Sequence, residues 1–160
     1  MLRRLVLHLS DLQYLMHQLG PSMPDISAIV QEKDDCWHVA FDEAVSIQID
    51  WLEHPPAMMA RCTVGRVDDE WCEQSYARLL DANRLLASLA NTKLAISPSG
   101  ERVELIGECK LASPSLPELQ RELSRFIQLA AGLAVMISEP VREVWKPKKA
   151  LPLELQALRS

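Results

Sequence analysis

Cysteine and histidine are the residues of this chain with the greatest capacity for chemistry, and they occur together in one segment. Cys36 and His38 are two residues apart, so on an extended strand their side chains would share a face, and His54 follows nearby. Thiolate and imidazole are ligands that zinc prefers. Structural zinc sites usually take ligands from closely spaced pairs, however, and the four cysteines form no C-x-x-C pair. The sequence therefore predicts reduced, metal-free cysteines that act as small buried hydrophobic residues.

The remaining polar residues do not form a pattern that predicts catalysis. Ser97 and Ser99 lie in a Ser-Pro-Ser-Gly segment, which is typical of a turn rather than of a nucleophile. Asp68 and Asp69 precede a predicted helix and are typical of its N-cap. The sequence contains no glycine-rich phosphate loop, no G-x-S-x-G motif and no H-E-x-x-H motif. It therefore predicts a protein that is not an enzyme, with no catalytic residues, no cofactor and no metal.

The charge of the chain restricts the partners that it can bind. Seventeen lysines and arginines stand against 22 aspartates and glutamates, giving a net charge of −5. Nucleic-acid binders usually carry a basic face, so we expect no nucleic-acid partner. An acidic protein is better suited to a partner with basic segments. No apolar run approaches the ~20 residues that cross a bilayer, and the N-terminal segment lacks the features of an export signal, so we expect a cytoplasmic protein without membrane insertion.

The hydrophobic pattern predicts one α+β domain over residues 1–138 and a C-terminal tail over residues 139–160. Apolar residues recur at helical spacing in three segments and alternate with polar residues in shorter segments between them. The predicted order is α-β-β-β-α-β-β-α, with about five strands in an antiparallel sheet. The predicted helices span residues 2–19, 70–90 and 116–137, and the predicted strands span residues 37–41, 44–51, 58–65, 93–97 and 101–111.

The helix predicted over residues 70–90 has a wider apolar surface than one contact with a sheet requires. Its apolar residues cover more than half of the circumference. Because a domain of 160 residues has little room to bury a helix on all sides, we expect the second apolar side to pack against another copy of the chain. The pattern predicts a homodimer interface that includes Leu79, Leu86 and Leu89, and it does not distinguish which of them faces the sheet.

Two segments carry a resemblance to a known family. Residues 79–86 contain an LL-x-x-N-x-L helix pattern, and residues 92–96 and 99–105 follow as a hairpin whose glycine turn precedes the second strand. Together with the order of elements and the acidic composition, this stretch resembles the class I type III secretion chaperones, the Tir-chaperone (CesT-like) family. The resemblance covers about residues 2–138 and consists of a pattern rather than of catalytic residues.

The resemblance implies a function without catalysis. Such a protein would be a cytoplasmic homodimer in a Gram-negative bacterium and would serve virulence through protein transport. It would bind the N-terminal region of one or more secreted effectors, keep that region extended and secretion-competent, and deliver it to the export apparatus, with the type III secretion ATPase as a further partner.

An effector-binding surface is expected near the first helix. Leu7 and Tyr14 are seven residues apart and lie opposite the main apolar stripe of that helix. We expect them to join Met58 and Ile106 in a groove for effector side chains, where a peptide could also add a strand to an open sheet edge. For Leu7 and Tyr14, the alternative is that they are scattered surface apolar residues without a function. For the whole chain, the alternatives are a regulatory or structural dimer module and a small-ligand enzyme.

Overall fold

The computed structural model of the chain describes residues 7–41, 45–67, 73–89 and 91–138. Within these residues, three helices and six strands form an α+β domain in the order α-β-β-β-β-α-β-β-α. This order confirms the predicted class and adds one strand ahead of the predicted first strand. The elements are α1 (Leu9–Ser22), β1 (Ile26–Lys33), β2 (Cys36–Phe41), β3 (Val45–Glu53), β4 (Pro56–Arg66), α2 (Glu73–Leu89), β5 (Thr92–Ile96), β6 (Arg102–Cys109) and α3 (Leu116–Ser138).

All six strands form one antiparallel sheet in the order β1-β2-β3-β4-β6-β5, so β1 and β5 are its edge strands. One face of the sheet is apolar across its centre. Val39 lies opposite Ile47, which lies opposite Cys62 on the next strand. Cys62 in turn lies opposite Leu105, and every member of this row is buried. The apolar stripes of α1 and α3 belong to the same buried cluster, so these helices cover this face, and the face opposite to them is called the open face.

Gly107 on β6 allows α3 to approach the sheet closely. A Cβ at this position would lie 2.5 Å from Cγ2 of Thr92 and 3.2 Å from the Phe126 ring. Both distances are shorter than ordinary carbon–carbon contact, so any larger residue would push the helix or the edge strand away. The close packing of Phe126 on the sheet therefore depends on the absence of a side chain at Gly107.

The strand that the sequence prediction lacked is β1. Six of its eight residues are exposed, and the two half-buried ones, Ile26 and Ile29, are three residues apart. A β-bulge shifts the register between Ile26 and Ala28, which breaks the alternation that identifies a strand in a sequence. Because β1 is an edge strand, its structure depends on pairing with β2 rather than on a hydrophobic pattern of its own.

The first helix begins and ends later than the predicted range of 2–19. It begins after His8, whose backbone N–H donates to the Asp11 carboxylate at 3.0 Å. It continues through Pro21 to Ser22, where the Ser22 hydroxyl donates to the Leu19 carbonyl at 2.7 Å. A proline fits there because the ring is near the helix end and the terminal carbonyls find other donors.

Several parts of the sequence prediction fall outside the described residues. These are the N-terminal part of the first helix, the Asp42-Glu43 turn, the N-cap at Asp68-Asp69, Cys72 and the tail over residues 139–160. In the part of the chain that the structure describes, no helix has both the length and the apolarity that crossing a membrane requires.

Candidate functional site

A groove of about 390 Å³ runs between α1 and the edge strand β1. The two elements lie side by side, since the Gln13 side-chain amide donates to the Asp34 carbonyl at 3.1 Å and Gly20 lies against Ile29. The lining of the groove is mixed: Met16 and Trp37 are almost fully buried beneath it, and polar side chains such as His17 and Gln31 line it as well. The groove is lined by Met16, His17, Gly20, Ile26, Ser27, Ala28, Ile29, Gln31 and Trp37.

The groove opens at an edge of the sheet. In the described part of the chain, β1 pairs with β2 on one side and no strand pairs with its other side. An edge strand presents backbone N–H and C=O groups to any extended chain that approaches it. Side chains of an added strand alternate between the two faces, so every second side chain would lie over the groove beside α1. The site can therefore hold an extended peptide by its backbone and by its side chains.

The opposite edge of the sheet is partly closed by α2. The side-chain amide of Asn83 bonds to both backbone groups of Leu94 on β5. Arg78 donates to the Met136 carbonyl at 3.2 Å, which fixes the same helix to α3. The two edges of the sheet therefore differ, and β1 is the more accessible of the two.

The wide apolar surface of α2 is divided between the interior and the solvent. Leu79 and Leu86, both predicted for the dimer interface, pack in the core of their own chain. The side chain of Leu89, the third predicted interface residue, lies outside the described set. Leu80 and Leu85 are instead exposed, at 70% and 59% of their surface. The leucines that remain exposed for contact with a second copy of the chain are thus the sequence neighbours of Leu79 and Leu86.

The structure does not bring the four residues predicted for effector binding into one surface. Leu7 precedes α1 and packs partly against the core, whereas Tyr14 is 64% exposed on the outer side of that helix. Met58 is 1% exposed on the face that the helices cover. Ile106 lies on the other face, since it pairs with Arg61 rather than with a core residue. Tyr14 and Ile106 are therefore accessible at separate places.

Sequence reasoning missed the groove residues on β1. The only signal for them is the pair Ile26 and Ile29 within a largely polar segment. Without the strand assignment, these residues have no defined face and no visible relation to the first helix. The groove is created by tertiary packing of α1 against β1.

The open face of the sheet carries a shallow depression of about 700 Å³ with a polar lining. Gln48 donates to both carboxylate oxygens of Asp50 there, at 2.9 and 3.0 Å. Nearby, Glu32 and His38 form a pair with 2.7 Å between Oε2 and Nε2. The hydrogen bond from His38 and its positive charge lower the pKa of Glu32.

The three described cysteines are free thiols that are poorly suited to nucleophilic chemistry. Desolvation, together with the neighbouring carboxylates of Asp50 and Glu32, raises the pKa of Cys36 to about 11. Desolvation raises the pKa of Cys109 to about 12 and also raises the pKa of Cys62. A thiol must lose its proton to act as a nucleophile. These residues therefore behave in the apo protein as buried hydrophobic groups, as the sequence predicts.

The fold thus combines a six-stranded antiparallel sheet, helices on one of its faces and a groove beside one of its edge strands. The sequence places the chain within a known group of proteins. The chain belongs to the Tir chaperone protein (CesT) family, whose model matches residues 15–134. This membership confirms the resemblance found in the sequence and makes the protein a chaperone of type III secretion effectors.

Solved structures with the same fold are also known. A chain of the ExsC–ExsE complex is 15% identical with a TM-score of 0.65, and the match covers 84% of this chain and 97% of that one. A chain of the heterodimeric ExoU–SpcU complex from the type III secretion system of Pseudomonas aeruginosa is 20% identical with a TM-score of 0.54, covering 78% and 96%. A chain of the HopA1–SchA chaperone–effector complex is 14% identical with a TM-score of 0.57, covering 81% and 98%. No curated protein matches the chain in sequence.

Proposed function

We propose that this chaperone binds the N-terminal region of its effector in the α1–β1 groove and along the free edge of β1. The observation that carries the proposal is the position of a groove directly beside the edge of β1 that no strand pairs with in the described part of the chain. Similar folds occur in the HopA1–SchA chaperone–effector complex and in the ExoU–SpcU complex, and this likeness supports a peptide as the occupant.

The two parts of the proposed site contribute differently to binding. Backbone hydrogen bonds to β1 give affinity that depends little on the effector sequence, and side chains in the groove give selectivity. Truncating a well-buried anchor side chain in such an interface typically costs about 2 kcal/mol or more. The net charge of −5 favours effector segments with basic residues and accelerates their association. An effector held in this way stays extended, as passage through an export apparatus requires.

The proposed chaperone is a homodimer that uses the exposed side of α2. Leu80 and Leu85 are large aliphatic residues on the surface of this helix, and Tyr76 is also partly exposed there. A two-fold interface uses the same residues twice, so each exposed leucine of α2 that lies in the interface contributes from both copies. Leu79 and Leu86 support the interface from within each protomer by holding α2 against β5, and Leu89 at the end of the helix remains a proposed member.

We propose that the chaperone acts in the cytoplasm of a Gram-negative bacterium. There it delivers its effector to the type III secretion ATPase, and it has no catalytic activity of its own. A peptide-binding groove beside an open strand edge supports a binding role, and the family consists of chaperones rather than enzymes.

The test begins with affinity purification of the tagged protein from the cytosol of its own bacterium, followed by mass spectrometry. Recovery of a protein that is also found in the secreted fraction is the expected result. The N-terminal segment of that protein, made separately, should then bind the purified chaperone with a stoichiometry that calorimetry defines. Binding through a folded effector domain alone, or no secreted partner at all, would contradict the proposal.

A further inference from the structure

Three potential metal ligands converge at the β1–β2 end of the open sheet face. Glu32 is on β1, and Cys36 and His38 are on β2. Glu32 Oε2 lies 2.7 Å from His38 Nε2 and 3.8 Å from Cys36 Sγ. One donor atom from each residue falls within 4.8 Å of the other two. Cys36 and His38 share a face because they are two residues apart on one strand, and the β1–β2 pairing adds Glu32.

These distances are close to those of a zinc site. With Zn–N of about 2.0 Å and Zn–S of about 2.3 Å in a tetrahedral arrangement, neighbouring donor atoms are roughly 3.2–3.6 Å apart. The oxygen–sulfur distance in the structure is slightly longer than this range, and the oxygen–nitrogen distance is shorter because a direct hydrogen bond joins the two atoms. Rotation of the Glu32 and His38 side chains, both partly exposed, is sufficient to open that bond around a metal ion.

The surroundings of the three residues carry charges of both signs. Asp50 lies directly opposite Cys36 on β3, so its carboxylate adds negative charge beside the thiol. Lys33 and Arg61 also line the depression, and they bring positive charge to its rim. The depression reaches from Glu32 and Cys36 to Asp50, which gives a solvent-filled path for an ion. An exposed entry path and acidic neighbours are both required of a metal site that fills after folding.

We propose that Glu32, Cys36 and His38 form a zinc-binding site, with water as the fourth ligand. A thiolate, an imidazole and a carboxylate in tetrahedral geometry suit zinc better than calcium or magnesium, which prefer oxygen ligands. Binding replaces the thiol proton of Cys36 by the metal, and the proton passes to the buffer. This proposal departs from the metal-free cysteines predicted from the sequence, where Cys36 and His38 were considered without Glu32 because the segment of Glu32 was not assigned to a strand.

The proposed zinc ion would connect the edge strand β1 to β2. Glu32 comes from the strand that carries the free edge, whereas the other two ligands come from the interior strand. Metal bound to both strands would hold β1 in place while its outer side stays open to a peptide. The site is separate from the α1–β1 groove because it lies on the opposite face of the sheet, so it does not depend on the proposed binding of an effector.

The test uses reduced, tag-free full-length protein with the Cys72→Ser change, so that this additional thiol cannot bind metal. Zinc chloride is titrated by calorimetry, and cobalt chloride is used to detect the thiolate-to-metal absorption band. We expect one zinc ion per chain, proton release on binding, a tetrahedral cobalt spectrum and a higher Tm with zinc. The changes Glu32→Gln, Cys36→Ser and His38→Gln should each lower zinc affinity by about tenfold or more.

Matched controls separate this site from nonspecific binding. Cys62→Ser removes another buried thiol on the opposite face, and His17→Gln removes another exposed imidazole, and both should leave zinc affinity unchanged. If Cys36→Ser does not fold, the two exposed positions Glu32 and His38 still provide the test. Absence of zinc binding to the parent protein, or equal affinity in the Glu32→Gln and His38→Gln variants, would overturn the proposal.

Discussion

Asn83 binds the backbone of Leu94 through both ends of its side-chain amide. The Leu94 N–H donates to Asn83 Oδ1 at 2.6 Å, and Asn83 Nδ2 donates to the Leu94 carbonyl at 3.0 Å. An asparagine side chain thereby replaces, at one residue, the strand that would otherwise pair with β5. This relationship also explains the asparagine of the LL-x-x-N-x-L pattern, since it fixes α2 at the edge of the sheet.

Replacing Asn83 by alanine should destabilise the protein. The change leaves one backbone donor and one backbone acceptor of Leu94 without their partner in a partly buried position, which typically costs about 1–3 kcal/mol. Urea denaturation followed by circular dichroism measures the change. Asn91→Ala is the control, because that side chain makes one exposed hydrogen bond to Glu108, and its loss should cost less than about 1 kcal/mol. Equal effects of the two changes would argue against the edge-capping role.

The turn between β5 and β6 provides a test of backbone conformation. Gly100 has a φ of 78°, and its N–H donates to the Ser97 carbonyl at 2.8 Å. A Cβ on Gly100 would contact nothing within 4 Å, so the cost of Gly100→Ala is conformational, at about 1–2 kcal/mol.

Gly132 in α3 provides the matched control for this turn. A Cβ there would also contact nothing within 4 Å, but the backbone is helical, so Gly132→Ala should stabilise by about 0.5–1 kcal/mol. Thermal unfolding of both variants should therefore show changes of opposite sign.

Leu80→Asp should convert the proposed dimer to a monomer. The change places a charge at an exposed leucine of the proposed interface, and the fold of the protomer should persist because Leu80 is 70% exposed. Val135→Asp is the matched control, since Val135 is also exposed and aliphatic but lies on α3. Light scattering combined with circular dichroism gives the mass and the fold together. A parent protein that is monomeric at micromolar concentration would exclude the interface altogether.

A charge in the α1–β1 groove should weaken effector binding. Ile29→Asp places a carboxylate beside Met16 and Trp37, and we expect affinity for the effector segment to fall by well over tenfold. Leu52→Asp is the control, because Leu52 is an exposed aliphatic residue that lines the polar depression instead. Calorimetry with the purified segment measures both variants, and circular dichroism must show an intact fold because Ile29 also packs partly against the core. A larger loss for Leu52→Asp than for Ile29→Asp would move the site to the open face.

Tyr14 provides a separate test of the sequence prediction for the first helix. Its side chain is exposed on the outer side of α1, so Tyr14→Ala should leave stability within about 0.5 kcal/mol of the parent. If effector chains extend over α1, the same variant should bind its effector several-fold less tightly. Unchanged affinity would confine the site to the groove and to β1. Leu7 is unsuited to this test, because a charge there would also disturb its contact with the core.

Most of the fold followed from local patterns in the sequence. Val39 and Ile47 belong to strands with clean alternation, and Leu119, Leu123 and Phe126 recur at helical spacing. The spacing of apolar residues along the chain reflects which side of a strand or helix is buried, so it identifies β2, β3, α3 and their inward faces. The composition, the absence of catalytic motifs and the resemblance to the secretion chaperones were equally visible without a structure.

The tertiary structure alone decided the features that depend on distant residues. Strand β1 exists because β2 pairs with it, and Ile29 has a face only after that pairing is fixed. Likewise, α2 has two apolar sides of similar character, and contact with β5 determined that Leu86 is buried and Leu80 is exposed. Glu32 approaches His38 through the register of two strands, which no spacing along the chain specifies. Local periodicity fixes the elements, whereas the free energy of packing them together determines which edge stays open and which side chains meet.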